Sequence, residues 1–250
     1  MFNVFINAWK VKEIRNKILY TLMIFAIIRL GTIIAIPGID VVGVKQAQQA
    51  AGIGTLYSMI AGGANAQWSI FAMGIGPYIT SSIIMQLLTI AIPKLEQMSK
   101  EGEEGRKKVQ SYSRYLTVVL ALLQAVGVTY SYRGLFVSDS MILYISAVLA
   151  LVCGSTFIMW LAEQITAKGI GNGSSMVIFI NIVSSLPIAA KSLYDMAAGS
   201  GTRGIATVAG ILLILLVVLV FIVHLNGGER RLPEQYSSKM TGRKQLGGRS

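Results

Sequence analysis

The residues best placed to do chemistry lie in an uncharged stretch at 69–91, where Gly74, Gly76, Pro77, Thr80, Ser81, Ser82 and Gln86 punctuate a run long enough to cross a bilayer. A helix built only to sit in lipid has no use for so many hydroxyls. At helical spacing Ile75, Ile79, Ser82 and Gln86 fall at i, i+4, i+7 and i+11, so one face carries two isoleucines followed by two polar side chains. Ser174, Ile178, Asn181 and Ser185 repeat the spacing. Two such helices, each offering an isoleucine near the same depth, suit an apolar constriction that excludes water while staying wet above and below. The same hydroxyls and amides serve equally well as hydrogen bonds between helices, and spacing leaves both readings open. Covalent chemistry has few candidates. Ser174 or Ser175 could be a nucleophile, but the single histidine, His224, stands at the end of the last apolar run. The sequence shows no HExxH, no paired intramembrane Asp, no metal-ligand cluster and no phosphate loop, so neither enzymatic activity nor a cofactor is expected.

The elements that must position these residues are helices in a membrane. Of the 250 residues 54% are hydrophobic and only 13% charged, and the mean hydropathy is +0.63, which excludes an ordinary soluble domain and a disordered one. Six apolar spans can be marked, at 18–36, 69–91, 112–130, 141–161, 172–190 and 204–225. The expected fold is therefore all-α, a polytopic bundle. Cys153 is alone, so it forms no disulfide within the chain and reads as a small apolar side chain.

The net charge of +11 takes its meaning from its distribution. Residues 1–17 hold four Lys or Arg, the loop 92–111 holds five and the tail 226–250 holds six, whereas the loops on the other side hold one, one and two. The positive-inside rule then makes residues 1–17 a cytoplasmic segment and puts the tail on the same side. The basic start followed by an apolar run resembles a secretory signal, but no small-residue cleavage site follows, so span one reads as retained. Arg29 inside it is expected to snorkel or to be paired within the bundle, a structural rather than a transport role. Residues 37–68 are too Gly-rich to cross and too apolar for a free loop. They fit either a re-entrant short helix or an interfacial one. Span six is almost wholly aliphatic and looks lipid-facing.

Several motifs in order narrow the reading. They are Ile36-Pro37-Gly38-Ile39-Asp40, the opening of span two from Ser69 through Ile79, the segments Lys100–Glu103, Gly105–Lys108 and Tyr112–Tyr115, Trp160–Thr166 followed by Lys168–Gly173, and the tail pairs Arg230-Arg231 and Arg243-Lys244. Together they closely resemble the SecY family, the central subunit of the protein-conducting channel. The resemblance implies a pore ring at Ile75, Ile79 and Ile178, with Ser174 where the family more often has an apolar residue. It implies a plug at about 52–66, including Leu56, Tyr57, Met59, Ile60, Gly62 and Gly63, and a lateral gate carrying Thr80, Ile83 and Gln86. Arg106, Lys107, Lys108, Arg230, Arg231, Arg243 and Lys244 match a docking surface for the ribosome and the motor ATPase SecA. Clustered cations suit ribosomal phosphate, although they also set topology. Further implied partners are the small subunits SecE and SecG, signal sequences and nascent chains, and membrane lipid, in the cell (plasma) membrane. Family members carry ten spans. Residues 18–190 are thus expected to be the first half of the bundle, 204–225 its sixth span and 226–250 the start of a basic loop, in the N-terminal portion of a longer protein. A small-solute transporter is the rival reading, since polar-striped, broken helices also build substrate sites. Against it, the spans carry no acidic residue in mid-membrane, and Arg29 is their only internal charge.

Overall fold

The computed structural model describes residues 11–40, 42–44, 68–199, 201–228, 239–241 and 244–246. Helix α1, Lys12–Ile33, buries Thr21, Ile24, Phe25, Ile28, Gly31 and Thr32, a single stripe at three- and four-residue spacing. It stops ahead of Pro37, and Ile34 is already extended. The chain then pairs briefly with two later segments, through isolated bridges from Ala35 to Ser69 and from Ile39 to Phe136.

Span two differs from the expected continuous helix over 69–91. Residues 69–75 run as turns, in which Ala72 N donates to Ser69 O and Gly74 N to Phe71 O, and α2 covers only Gly76–Ala91. The reason is local. Gly74 sits at φ 57°, in the left-handed region that favours glycine, and Pro77 takes the first turn, where its missing N–H costs nothing. At 16 residues α2 is about 24 Å long. Ile75 caps the helix instead of belonging to it, and its carbonyl accepts from Ile79 N at 3.2 Å.

The basic segment 92–111 is not a loop. Extended Ile92 before Pro93 ends α2, and α3, Pro93–Lys100, leaves at 102° to it. Gly102, at φ 90°, then reverses the chain into α4, Glu103–Ser131, whose first turn opens with Glu103 and Glu104 at the positive end of the helix dipole. Arg106, Lys107 and Lys108 are exposed on the opening turns of α4.

Helix α4 buries Ser113, Thr117, Ala121, Ala125 and Thr129, a small residue every fourth position, and this seam packs against both α2 and α5. Helix α5, Met141–Lys168, meets α4 and α1. Cys153 lies exposed on α5. A 3-10 turn, Arg133–Leu135, joins α4 to α5. Two apolar clusters result. One gathers Ile24, Phe25, Ile28, Phe71, Ile158 and Ile165; the other gathers Trp68, Met73, Ala121, Ala125, Ala147 and Leu151. Trp68 is fully buried, edge-on to Tyr132 at 5.3 Å and to Phe136 at 6.2 Å.

Helix α6 is Gly173–Gly199 with Pro187 inside it, and the chain divides into two compact units at Pro187. The second unit contains α7, Gly201–Asn226, in which none of the most apolar window is buried. It also holds, within the tail expected to start a basic loop, a short antiparallel pair: β1, Lys239–Thr241, against β2, Lys244–Leu246, with Thr241 opposite Lys244.

Candidate functional site

A polar cavity of about 610 Å³ opens between α2, α4, α5 and the start of α6. Helix α2 contributes Tyr78, Ile79, Ser82, Ile83 and Gln86, α4 contributes Gln110 and Arg114, and α5 contributes Glu163, Gln164 and Thr166; Asn172 and Ser174 complete the wall. Arg114 Nε donates to Glu163 Oε1 at 2.7 Å, and Gln110 Nε2 donates to the same oxygen at 3.3 Å. The Glu163 side chain is only 11% exposed, so these donors offset the cost of removing a carboxylate from water.

The turn from α5 to α6 is built by three small or polar residues. Gly171 takes φ 70°, and a Cβ on Gly173 would overlap the carbonyl of Ala162. Asn172 Oδ1 accepts from Ser174 N at 3.0 Å and from Ser174 Oγ at 2.7 Å, an N-terminal cap that directs Ser174 to its own helix end. Thr166 Oγ1 accepts from Gly173 N at 2.9 Å, locking the turn onto α5.

The three isoleucines share the first apolar cluster. Ile75 is 3% exposed within the first apolar cluster, and half-buried Ile79 and Ile178 pack against that cluster. Ile79 alone of the three also lines the cavity. The polar residues of α2 divide three ways. Ser81 is buried and donates to Ser113 O at 2.6 Å, tying α2 to α4. Thr80 is exposed and returns its hydroxyl to Gly76 O, while Ser82, Ile83 and Gln86 face the cavity. On α6, Ser174 reaches the cavity and Ser185 bonds its own helix at Ile182 O. Asn181 instead joins helices: it is 3% exposed and accepts from Arg29 Nη2 at 3.4 Å. The positions 56, 57, 59, 60, 62 and 63 matched to the plug lie outside the described residues, as do Arg230, Arg231 and Arg243. Of the tail cations named for docking, Lys244 is placed by its backbone in β2.

Spacing does not point to the Arg114–Glu163 pair. The signal available is that Glu163 is the one acid between Asp139 and Asp195, near the end of a long apolar helix.

Comparison with known proteins bears on this arrangement. The protein translocase subunit SecY of Streptomyces scabiei is 40% identical over 269 aligned positions, covering 100% of this chain and 60% of that protein. That of Bacillus subtilis strain 168 is 40% identical over 258, covering 99% and 59%. The chain thus spans about 60% of the length of the curated relatives it matches. Among solved structures, a protein-conducting channel aligns with TM-score 0.59 at 20% identity, over 94% of this chain and 52% of that one. A SecY structure concerned with the plug domain aligns with TM-score 0.62 at 19% identity, over 93% and 51%. These likenesses establish a shared fold. The SecY family model matches residues 69–250, taking in α2, the cavity wall and the tail hairpin, and with the relatives' identity over the whole chain it shows that this multi-pass membrane chain belongs to the SecY family.

Proposed function

We propose that this chain supplies the first six spans of a protein-conducting channel, which moves unfolded polypeptides across the plasma membrane and releases apolar segments sideways into lipid. The observation that carries the reading is the double position of Ile79, packed on the apolar cluster on one side and lining a polar cavity on the other. A chain entering the cavity from the cytoplasm would meet glutamines, serines and one ion pair, and then an abrupt apolar step formed by Ile75, Ile79 and Ile178 with Ser174 at its polar edge. Water and ions are excluded there for want of hydrogen-bond partners.

The lateral gate belongs where the cavity wall at Ile83 and Gln86 gives way to the exposed side of α2 carrying Thr80, Leu87 and Ile90. A signal sequence settling against that apolar and weakly polar strip favours an open state by contacts it makes only there. Segment 52–66 acts as the plug. The exposed cations Arg106, Lys107 and Lys108 and, in the tail, Arg230, Arg231, Arg243 and Lys244 each serve docking of the ribosome or SecA from the cytoplasm, with the N-terminus on the same side, and SecE and SecG complete the assembly. Replacing Ile79 by Asn in the complete channel should raise idle ion conductance severalfold and relax signal-sequence stringency, whereas Ile79→Leu should leave both unchanged. Wild-type conductance and stringency in the Asn variant would overturn the proposal.

A further inference from the structure

A second crevice, of about 310 Å³, lies away from the polar cavity, where the end of α4 meets the start of α5. Its chemistry changes in order along the two helices. At the top, Arg133 Nη2 donates to both oxygens of Asp139 at 3.2 Å, and Tyr144 donates its hydroxyl to Asp139 Oδ1 at 2.7 Å. The guanidinium also lies 5.6 Å from the Tyr144 ring centre. Hydrogen bonds from Tyr144 and Arg133 hold the Asp139 carboxyl below its ordinary titration range, so a full positive and a full negative charge stand side by side at neutral pH. Four residues back along the chain from Arg133, about one helical turn deeper, Thr129 lines the crevice. It is 3% exposed and closes the crevice behind the charge pair. Further along the same two helices the lining turns aliphatic, with Val126 on α4 and Val148 on α5.

We propose that this crevice binds one glycerophospholipid with an ethanolamine headgroup. The phosphate sits at Arg133 and the primary ammonium at Asp139, and the first part of one acyl chain lies along Val126 and Val148. The order charge pair, then hydrocarbon wall, is the order of groups along such a lipid, which is the reason to choose it over a peptide. A peptide segment would bring its own backbone donors and acceptors to an aliphatic wall that leaves them unpaired. The position also suits a lipid, because Tyr130 and Tyr144 line the crevice at this end of the helices, as interfacial aromatics do. Arg133 uses only Nη2 on Asp139, and a carboxylate has further acceptor sites beyond the bonds it makes here, so both charges can take a ligand without separating. A lipid in this crevice requires only that the chain span a membrane, whatever passes through it.

The test is native mass spectrometry of the delipidated full chain in detergent, titrated separately with dioleoyl phosphatidylethanolamine and dioleoyl phosphatidylglycerol. The wild type should retain one phosphatidylethanolamine in preference to phosphatidylglycerol. Arg133→Gln should weaken retention of both by about tenfold, the loss of a charge-assisted hydrogen bond. Asp139→Asn removes the ammonium's partner and frees Arg133 for an anionic lipid, so the preference should invert; a merely structural role for Asp139 would not produce that inversion. Val148→Trp should fill the crevice and abolish the first adduct. Equal retention of the two lipids by the wild type, or an unchanged first adduct in Arg133→Gln and Val148→Trp, would overturn the proposal.

Discussion

Arg29 shows how a single charge is accommodated inside a helix that has to sit in hydrocarbon. Its Nη2 donates to Ile180 O at 2.8 Å and to Asn181 Oδ1 at 3.4 Å, and also engages Ser184 Oγ. Those groups lie on α6, so the guanidinium cross-braces α1 to the helix that carries Ile178. Ser184 is itself held by donating to Asn181 O at 2.8 Å, which fixes the acceptor face that Arg29 reads. Arg29→Leu would leave Asn181 buried without this donor, at a cost of about 1–3 kcal/mol, and should lower the thermal midpoint of the purified full chain. Arg29→Lys should recover part of the loss, since it keeps the charge but not the forked geometry. A Leu variant melting with the wild type would show that the brace contributes nothing. This residue also marks a limit of sequence reading. A charge inside an apolar span announces itself, and pairing within the bundle is one of the two outcomes open to it, but its partners lie 151 to 155 positions away. Spacing within α6 puts Asn181 on the same stripe as Ser174; only the position of α1 assigns it to packing. Likewise, period alone cannot separate Ser81, bonded to α4, from its neighbour Ser82 in the cavity.

At the scale of elements, close packing is set by small residues at particular crossings. A Cβ on Gly154 of α5 would overlap the Ile70 carbonyl, part of the turn that precedes α2. Gly154→Ala should therefore destabilise the bundle by about 1–3 kcal/mol, because backbone has to move to admit the methyl group. A methyl group on Gly127 of α4 would meet nothing within 4 Å, so Gly127→Ala should be neutral or stabilising, by up to about 1 kcal/mol of helix propensity. Opposite signs in thermal unfolding would support these packing assignments; equal shifts would contradict them. Helix existence is readable from apolar length, and each of the six spans contains a helix. Helix ends are less so. The first turns of α4 are polar and escape any hydropathy window, although Glu103 and Glu104 favour a helix start. Conversely, 69–75 is apolar enough to pass as helix, yet Gly74 and Pro77 place the start at Gly76. The tail hairpin carries no apolar alternation strong enough to announce two strands of three residues.

The whole molecule is notable for what its own chain leaves uncovered. Leu22, Leu30 and Ile33 on α1 are exposed, as are Ile83, Leu87 and Ile90 on α2 and the aliphatic residues of α7. In a membrane such faces meet lipid or further protein, and the division of roles among them is what the channel proposal supplies. Its central claim is that a polypeptide in transit passes Ile79, while α7 faces lipid. The most direct test places a single cysteine at position 79 or, as control, at position 214, in the complete channel with Cys153 replaced by Ala, and cross-links it to a secretory chain stalled halfway across. Ile214 is 62% exposed on α7 and should give no adduct, whereas position 79 should give a strong one. No adduct at 79, or equal adducts at both positions, would mean that α2 is packing rather than pore wall and would contradict the account.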